Sequence, residues 1–197
     1  MITMGAAMWP IDSMFASQAV RVYADVVGWP LAVGYQARPR RGCTCQDADC
    51  LTLGAHPVPG PPSLGGTEET VRELETSPGA GLVAWTTAFD AVCIFRAVGM
   101  AVMVFLDRAT PPPCLIDGGH AVLLVQPGTG RAALRAGLPA SVRSGPAGWV
   151  AVPPILGRSW DTPPWPAGTK APRRLVSGDV IASLLADASA ERPQTDA

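Results

Sequence analysis

Apolar positions fall into short runs divided by clusters of proline and glycine, and the spacing inside each run indicates the element it forms. Over residues 14–27, MFASQAVRVYADVV puts Phe15, Ala19, Val22, Tyr23, Val26 and Val27 at helical intervals, with Ser13 placed to cap the helix and Gly28 to stop it. Residues 31–35 read as a strand running into the basic loop Arg38-Pro39-Arg40-Arg41. Thr67 is placed to cap a helix reaching about Glu75, with Glu68 and Glu69 in the first turn, where the helix dipole favours negative charge. Residues 81–85 and 91–95 are short apolar runs bounded by turn formers and read as neighbouring strands. The longer, Met-containing run 98–106 reads as a packed helix, and 121–125 as a strand closed by the turn Pro127-Gly128-Thr129-Gly130. Residues 148–152 form another strand, cut off by Pro153-Pro154. A Pro- and Trp-rich stretch follows to Pro172 and reads as an ordered loop packed by Trp160 and Trp165. Ser177 is placed to cap a last helix through Ala186. Helices and strands mix without strict alternation, so the expected class is α+β: an N-terminal lead over 1–13, one single-core domain over 14–187, and a flexible tail over 188–197.

Composition narrows the class. Hydrophobic residues make up 48 % of the 197-residue chain and charged residues only 16 %, against roughly 25 % charged in an ordinary soluble domain. A net charge of -1 offers no general attraction for a phosphate backbone, so nucleic-acid binding would need a local basic patch. The apolar run 98–106 falls short of the about 20 residues that cross a bilayer. The first residues carry Asp12 and no basic cluster, so the expectation is a protein of the reducing cytoplasm with neither signal peptide nor membrane contact.

Three of the five cysteines lie within eight residues, a metal spacing rather than a disulfide spacing. Residues 42–57 read GCTCQDADCLTLGAHP, giving C-x-C-x4-C-x5-H. Cys43, Cys45, Cys50 and His56 supply the four borderline-to-soft donors that close a tetrahedral Zn2+ shell with no open position, which makes the expected zinc structural. Cys93 and Cys114 sit in apolar or proline-rich settings and read as buried small hydrophobes. His120 follows Gly118-Gly119 and opens an apolar strand. No Ser-His-Asp order, phosphate-binding glycine loop or dinucleotide fingerprint occurs.

The order of features is distinctive: a helix, Gly28-Trp29-Pro30, a strand, the cysteine cluster ending Gly54-Ala55-His56-Pro57, an acid-capped helix and a strand pair. Gly118-Gly119-His120 and then Gly148-Trp149-Val150-Ala151-Val152-Pro153-Pro154 complete it. Over about residues 14–165 this resembles the N-terminal domain of bifunctional DNA primase/polymerases, the prim-pol branch of the archaeo-eukaryotic primases. The resemblance implies a prim-pol mixed sheet packed with helices, with the zinc knuckle inserted. It also implies a family active site in which carboxylates hold two divalent metals for nucleotidyl transfer. Aligned on 91–95, the family's paired acids fall on Cys93 and Phe95, and its later acid falls on Ser141, two residues before Arg143. Neither thiol, phenyl ring nor hydroxyl replaces a hard carboxylate ligand. His120 keeps the place of the family histidine, which contacts the nucleotide triphosphate.

The expected protein is therefore a non-polymerising relative, not an enzyme, that acts as a nucleic-acid-binding or accessory module. Arg38, Arg40 and Arg41 are its contact to single-stranded or primed DNA, with Trp29 and Trp149 available for base stacking. The plainer reading of the three arginines is a solvated loop. One alternative is an inert subunit that stabilises a partner enzyme or transcription complex, since apolar surface would remain on so lightly charged a chain. The other is an active zinc-containing primase/polymerase in which Asp90, Asp107 or Asp117 replaces the lost acids and Mg2+ or Mn2+ is bound.

Overall fold

In a computed structural model, the two most continuously apolar strand runs pair with each other. Strand β4 (Asp90–Phe95) lies antiparallel to β6 (His120–Val125) from Asp90 opposite Val125 to Phe95 opposite His120. The structure describes residues 11–190 except 39, 51, 60–65, 107–110 and 138, and omits the side chains of 188–190. Both strands are buried on both faces, which is why they read as unbroken apolar runs rather than as alternation.

The pair sits inside a five-stranded antiparallel sheet with β5 (Cys114–Asp117), β7 (Ala140–Arg143) and β9 (Arg158–Thr162), in the order β7-β4-β6-β5-β9. A second sheet has the order β2-β1-β3-β8, formed by β1 (Leu31–Arg38), β2 (Gly42–Cys43), β3 (Ala80–Trp85) and β8 (Trp149–Val152). Among the described residues, four α-helices complete the α+β fold: α1 (Ala16–Val26), α2 (Thr67–Thr76), α3 (Arg96–Leu106) and α4 (Gly178–Ala190).

Among the described residues two hydrophobic clusters stand where a single core is expected. Ala91, Cys93, Val122 and Leu124 from one face of the five-stranded sheet join Leu31, Leu82, Val150 and Val152 of the smaller sheet, together with α1, α2 and an aromatic group. On the other face, Val92, Ile94, Leu123 and Val125 pack with Val102 and Met103 of α3 and with Ile181 and Leu185 of α4. The strands β3 and β4, expected as neighbours, belong to different sheets. Their link crosses over because Thr86 bonds through both its N–H and its hydroxyl to the turn before β8, while Phe89 is fully buried against Trp29.

Several boundaries move. Phe15, not Ser13, stands at the start of α1 and gives no side-chain cap; residues 11–13 form a 3-10 turn whose Ile11 is in the core, so the lead is part of the domain from that point. Gly66 occupies the cap of α2, leaving Thr67 as its first helical residue. The stretch around Trp160 is not a loop but strand β9, although Trp160 and Trp165 are both buried as expected. Ser177 does cap α4, its hydroxyl accepting the Asp179 N–H, and the helix continues to Ala190, past the point where the tail was placed. The remaining tail residues 191–197 and the lead residues 1–10 lie outside the described residues. Among the described residues no helix is long and apolar enough to cross a membrane.

One buried polar tie joins α1 to both C-terminal strand regions. Tyr23, fully buried, donates its hydroxyl to Pro153 O at 2.9 Å and accepts the Trp160 indole N–H at 2.7 Å. Burial drives the Tyr23 hydroxyl well above its usual range, so it stays protonated and able to donate. Tyr23→Phe would leave two buried groups unpaired, and it is expected to cost about 1–3 kcal/mol. Urea unfolding should show a lower midpoint at unchanged slope.

Candidate metal centre

The cysteine loop is built out from the end of β1. A hairpin turn with Arg40 at φ 62° returns the chain into β2, pairing Ala37 with Cys43 and Arg38 with Gly42. Thr44 fastens the turn to β1: its N–H donates to Gln36 O at 3.0 Å, and its hydroxyl accepts the Gln36 N–H at 2.9 Å. Asp47 then folds the connection, its carbonyl accepting the Cys50 N–H and its carboxylate the Asp49 N–H. The loop returns to β1 where Tyr35 N–H donates to His56 O at 3.1 Å and Gly34 bridges Pro57.

This brings Cys43, Cys45, Cys50 and His56 together, with one donor atom from each lying within 4.8 Å of all the others. The His56 Nε2 stands 3.2 Å from Cys43 Sγ and 3.4 Å from Cys50 Sγ. A tetrahedral Zn2+ with ~2.3 Å bonds to sulfur and ~2.05 Å to nitrogen has S–N edges of roughly 3.6 Å, so the cluster needs only small outward shifts to hold a metal such as zinc. The Tyr35 ring lies 4.6 Å from the His56 ring, centroid to centroid, and limits where the imidazole can turn.

Electrostatics favour a cation there. Burial raises the Cys43 thiol, but N–H groups of Cys45 and Gly54, with the Cys45 thiol and His56, outweigh it and bring Cys43 down to about 6. At Cys45 the Asp47 N–H favours the thiolate, yet desolvation, the hydrogen bonds with Cys43 and Cys50 and the charge on Cys43 push it up to about 11. One thiolate thus forms readily and the next is held back by like charge, the repulsion a divalent cation would remove. Cys93 and Cys114 are the buried small hydrophobes expected: burial raises both, Cys114 to about 12.

The loop also lies against the smaller sheet, on the face turned away from the core. A Cβ on Gly34 would stand 2.6 Å from His56 O, and one on Gly81 would collide with Gly54 O. Gly54 itself has φ 71° and donates its N–H to Cys43 Sγ at 3.3 Å.

The other residues singled out from the sequence divide into two places. Arg38, Arg40 and Arg41 are exposed on the hairpin turn beside the loop, and none has an ion-pair partner among the described residues. The Arg38 guanidinium donates to the Gln36 side-chain oxygen. Arg38 and Arg40 rim a groove of about 590 Å3 whose walls include Leu53, Ile155 and Leu156. At the β4 and β6 ends of the large sheet, Phe95 faces His120 with rings 5.7 Å apart, Cys93 is paired with Ser141, and Asp117 is paired with His120. Asp117 is bound at 2.8 Å by Arg158, a residue not singled out from the sequence because its strand was read as loop. The Arg158 Nε is buried without a partner among the described residues.

Asp90 is at the opposite end of β4, 2 % exposed, and accepts the Gly130 N–H at 2.8 Å, so it holds a turn and is removed from His120. Asp107 lies outside the described residues. Trp29 is buried against Tyr23, Phe89 and Trp160, 7 % exposed, which is too little to stack on a base. Trp149 is partly exposed and carries the Arg143 guanidinium 5.0 Å above its ring.

Zinc analysis of the purified chain is expected to give one ion per molecule, lost in Cys45→Ala and His56→Ala. Gly81→Ala, which touches no ligand, is expected to weaken zinc affinity about 10- to 100-fold by displacing the loop backbone, as measured by competition with a chromophoric chelator. No protein-family model, curated protein sequence or solved structure matches this chain.

Proposed function

We propose that the chain is a non-polymerising relative of the prim-pol domains that binds single-stranded nucleic acid, with a structural zinc in the Cys43, Cys45, Cys50 and His56 loop. The observation that carries the reading is the strand register. Positions 93 and 95 lie opposite 141 and 120 on the two adjacent strands, the juxtaposition that the family's acids need to share two metals and its histidine needs to reach the triphosphate. Their side chains are a thiol, a phenyl ring, an imidazole and a hydroxyl. Among the described residues Asp117 is the single carboxylate paired into this row, and Arg158 forms an ion pair with it. One guanidinium-bound carboxylate cannot hold two Mg2+ or Mn2+ ions, so the chemistry of nucleotidyl transfer has no support here.

Binding rests instead on the turn beside the metal loop. Arg38, Arg40 and Arg41 offer three guanidinium groups to phosphates, and the aliphatic groove beneath Arg38 and Arg40 takes an unstacked base. Zinc is structural in this reading: it closes a loop whose only fully buried hydrophobic side chain among the described residues is Ala55.

Fluorescence anisotropy with a labelled oligothymidylate tests this. Three phosphate contacts predict affinity falling about 20-fold between 50 and 200 mM salt, and Arg40→Ala/Arg41→Ala should weaken binding and flatten the slope. No binding at low salt would remove the nucleic-acid role. Primer extension with Mg2+ or Mn2+ should give no product, and template-dependent product abolished by Asp117→Asn would restore the polymerase reading.

A further inference from the structure

We propose that the groove beside the arginine turn selects guanine among the four bases. For a base within a strand this rests on the nucleic-acid reading above, and for a free guanine nucleotide it stands by itself. Separate segments of the chain build the groove. Arg38 and Arg40 come from the end of β1 and its turn, Leu53 from the cysteine loop, Ala80 from the start of β3, and Ile155 and Leu156 from the turn between β8 and β9. Its volume of about 590 Å3 is that of a small-molecule site, for which ~300–1,000 Å3 is ordinary. Leu156 is 87 % exposed and Leu53 48 %, large apolar surfaces that a flat aromatic ring would take out of water.

The polar side of the groove consists of hydrogen-bond donors. Among the described residues that line it, the guanidinium groups of Arg38 and Arg40 are the only polar side-chain groups. Arg38 already spends its Nε and Nη2 on Gln36. Arg40 is exposed and has no ion-pair partner among the described residues, so its whole fork is open to a ligand. The carbonyls at the groove are engaged: Gly79 O accepts the Ala37 N–H, and Ile155 O accepts the Arg158 N–H.

Aliphatic walls with donors along the rim favour a flat ligand whose edge is made of acceptors. On its major-groove edge guanine presents two adjacent acceptors, O6 and N7, matched to the fork of a guanidinium. Adenine sets its N6 amino donor beside N7, and cytosine presents its N4 amino donor there, so each turns hydrogens toward Arg40. Thymine offers O4 beside a methyl group, one acceptor where guanine has two. Arg41 does not line the groove and stays with a phosphate, while Arg40 exchanges its phosphate for the base when guanine is seated.

Two measurements on the full zinc-loaded chain separate the sources of the base. Fluorescence anisotropy with oligothymidylates carrying one central guanine, adenine or cytosine reads a base within a strand, and calorimetric titration with dGMP and dAMP reads the free nucleotide. The guanine oligomer should bind about tenfold tighter than plain oligothymidylate. Its slope of log affinity against log salt should be shallower by about 0.7, because one phosphate contact has become a base contact. Arg40→Lys retains the charge without the fork, and in that variant the ratio of guanine to thymine affinity should fall to about one. Equal affinity for all four oligomers, or a guanine preference unchanged in Arg40→Lys, overturns the proposal and leaves strand binding standing. Selective binding of dGMP over dAMP with no oligomer bound, lost in Arg40→Lys, supports the guanine site and removes the strand. No binding of any oligomer or nucleotide overturns both.

Discussion

Because the β4 and β6 pair carries apolar side chains on both faces, each face needs its own cover, and the architecture follows from how that is supplied. One face is closed by the smaller sheet with α1 and α2, the other by α3 and α4. Burial on both sides leaves these strands little tolerance for a register shift, since moving either strand by one residue would exchange the two faces. The same register brings residues 93, 95, 120 and 141 together. The row beside His120 is thus a consequence of core packing and persists whatever chemistry its side chains provide.

The cysteine loop obeys a different constraint. It lies on the face of the small sheet that the core does not use, and Gly34 and Gly81 are the places where its backbone comes closest. Glycine there removes the side chains that would otherwise pack, so close approach is gained at the expense of hydrophobic contact. The donors of Cys43, Cys45, Cys50 and His56 make up that loss when a metal joins them, because ligand bonds hold the loop where apolar burial cannot. The turn that carries the exposed arginines is fastened to β1 by Thr44, and Leu53 of the cysteine loop shares its groove with Arg38 and Arg40. Gly42 and Leu53, on either side of the donors Cys43 and Cys50, line that groove, so a metal held by the four donors would adjoin it.

Much of this is legible in the amino-acid sequence itself. Helical periodicity located α1, α2 and α3, the runs of Val, Leu and Ile located β1, β3, β4, β6 and β8, and cysteine spacing located the four clustered donors. The edge strands are not legible in this way. Strands β7 and β9 are the edges of the five-stranded sheet and carry Ser141, Arg143, Arg158, Ser159 and Asp161, polar residues suited to an edge but without an apolar pattern. Without β9, Arg158 had no place beside Asp117. The separation of β3 from β4 was hidden because a four-residue link can close a hairpin or cross between sheets, and only the long-range bonds of Thr86 decide between them. Trp29 looked available for stacking because an aromatic beside Gly28 and Pro30 reads as a loop residue, whereas the aromatic cluster encloses it.

The row beside His120 can also be weighed for stability. Position 93 is 7 % exposed and opens into the inter-sheet core, where an ionised carboxylate would be costly without a cation against it. A second carboxylate at 95, on the same strand face, would add like-charge repulsion between the two. A protein that uses bound Mg2+ tolerates such a pair because the metals supply the missing charge; one that does not is more stable with neutral groups there. Cys93, whose thiol is kept neutral by burial, and Phe95, stacked on His120, are that neutral arrangement. Asp117, the acid paired with His120, is held by the Arg158 guanidinium at 2.8 Å. On the prim-pol reading, loss of the metals and loss of the acids reinforce each other: each carboxylate removed relieves a repulsion that only the metals had balanced.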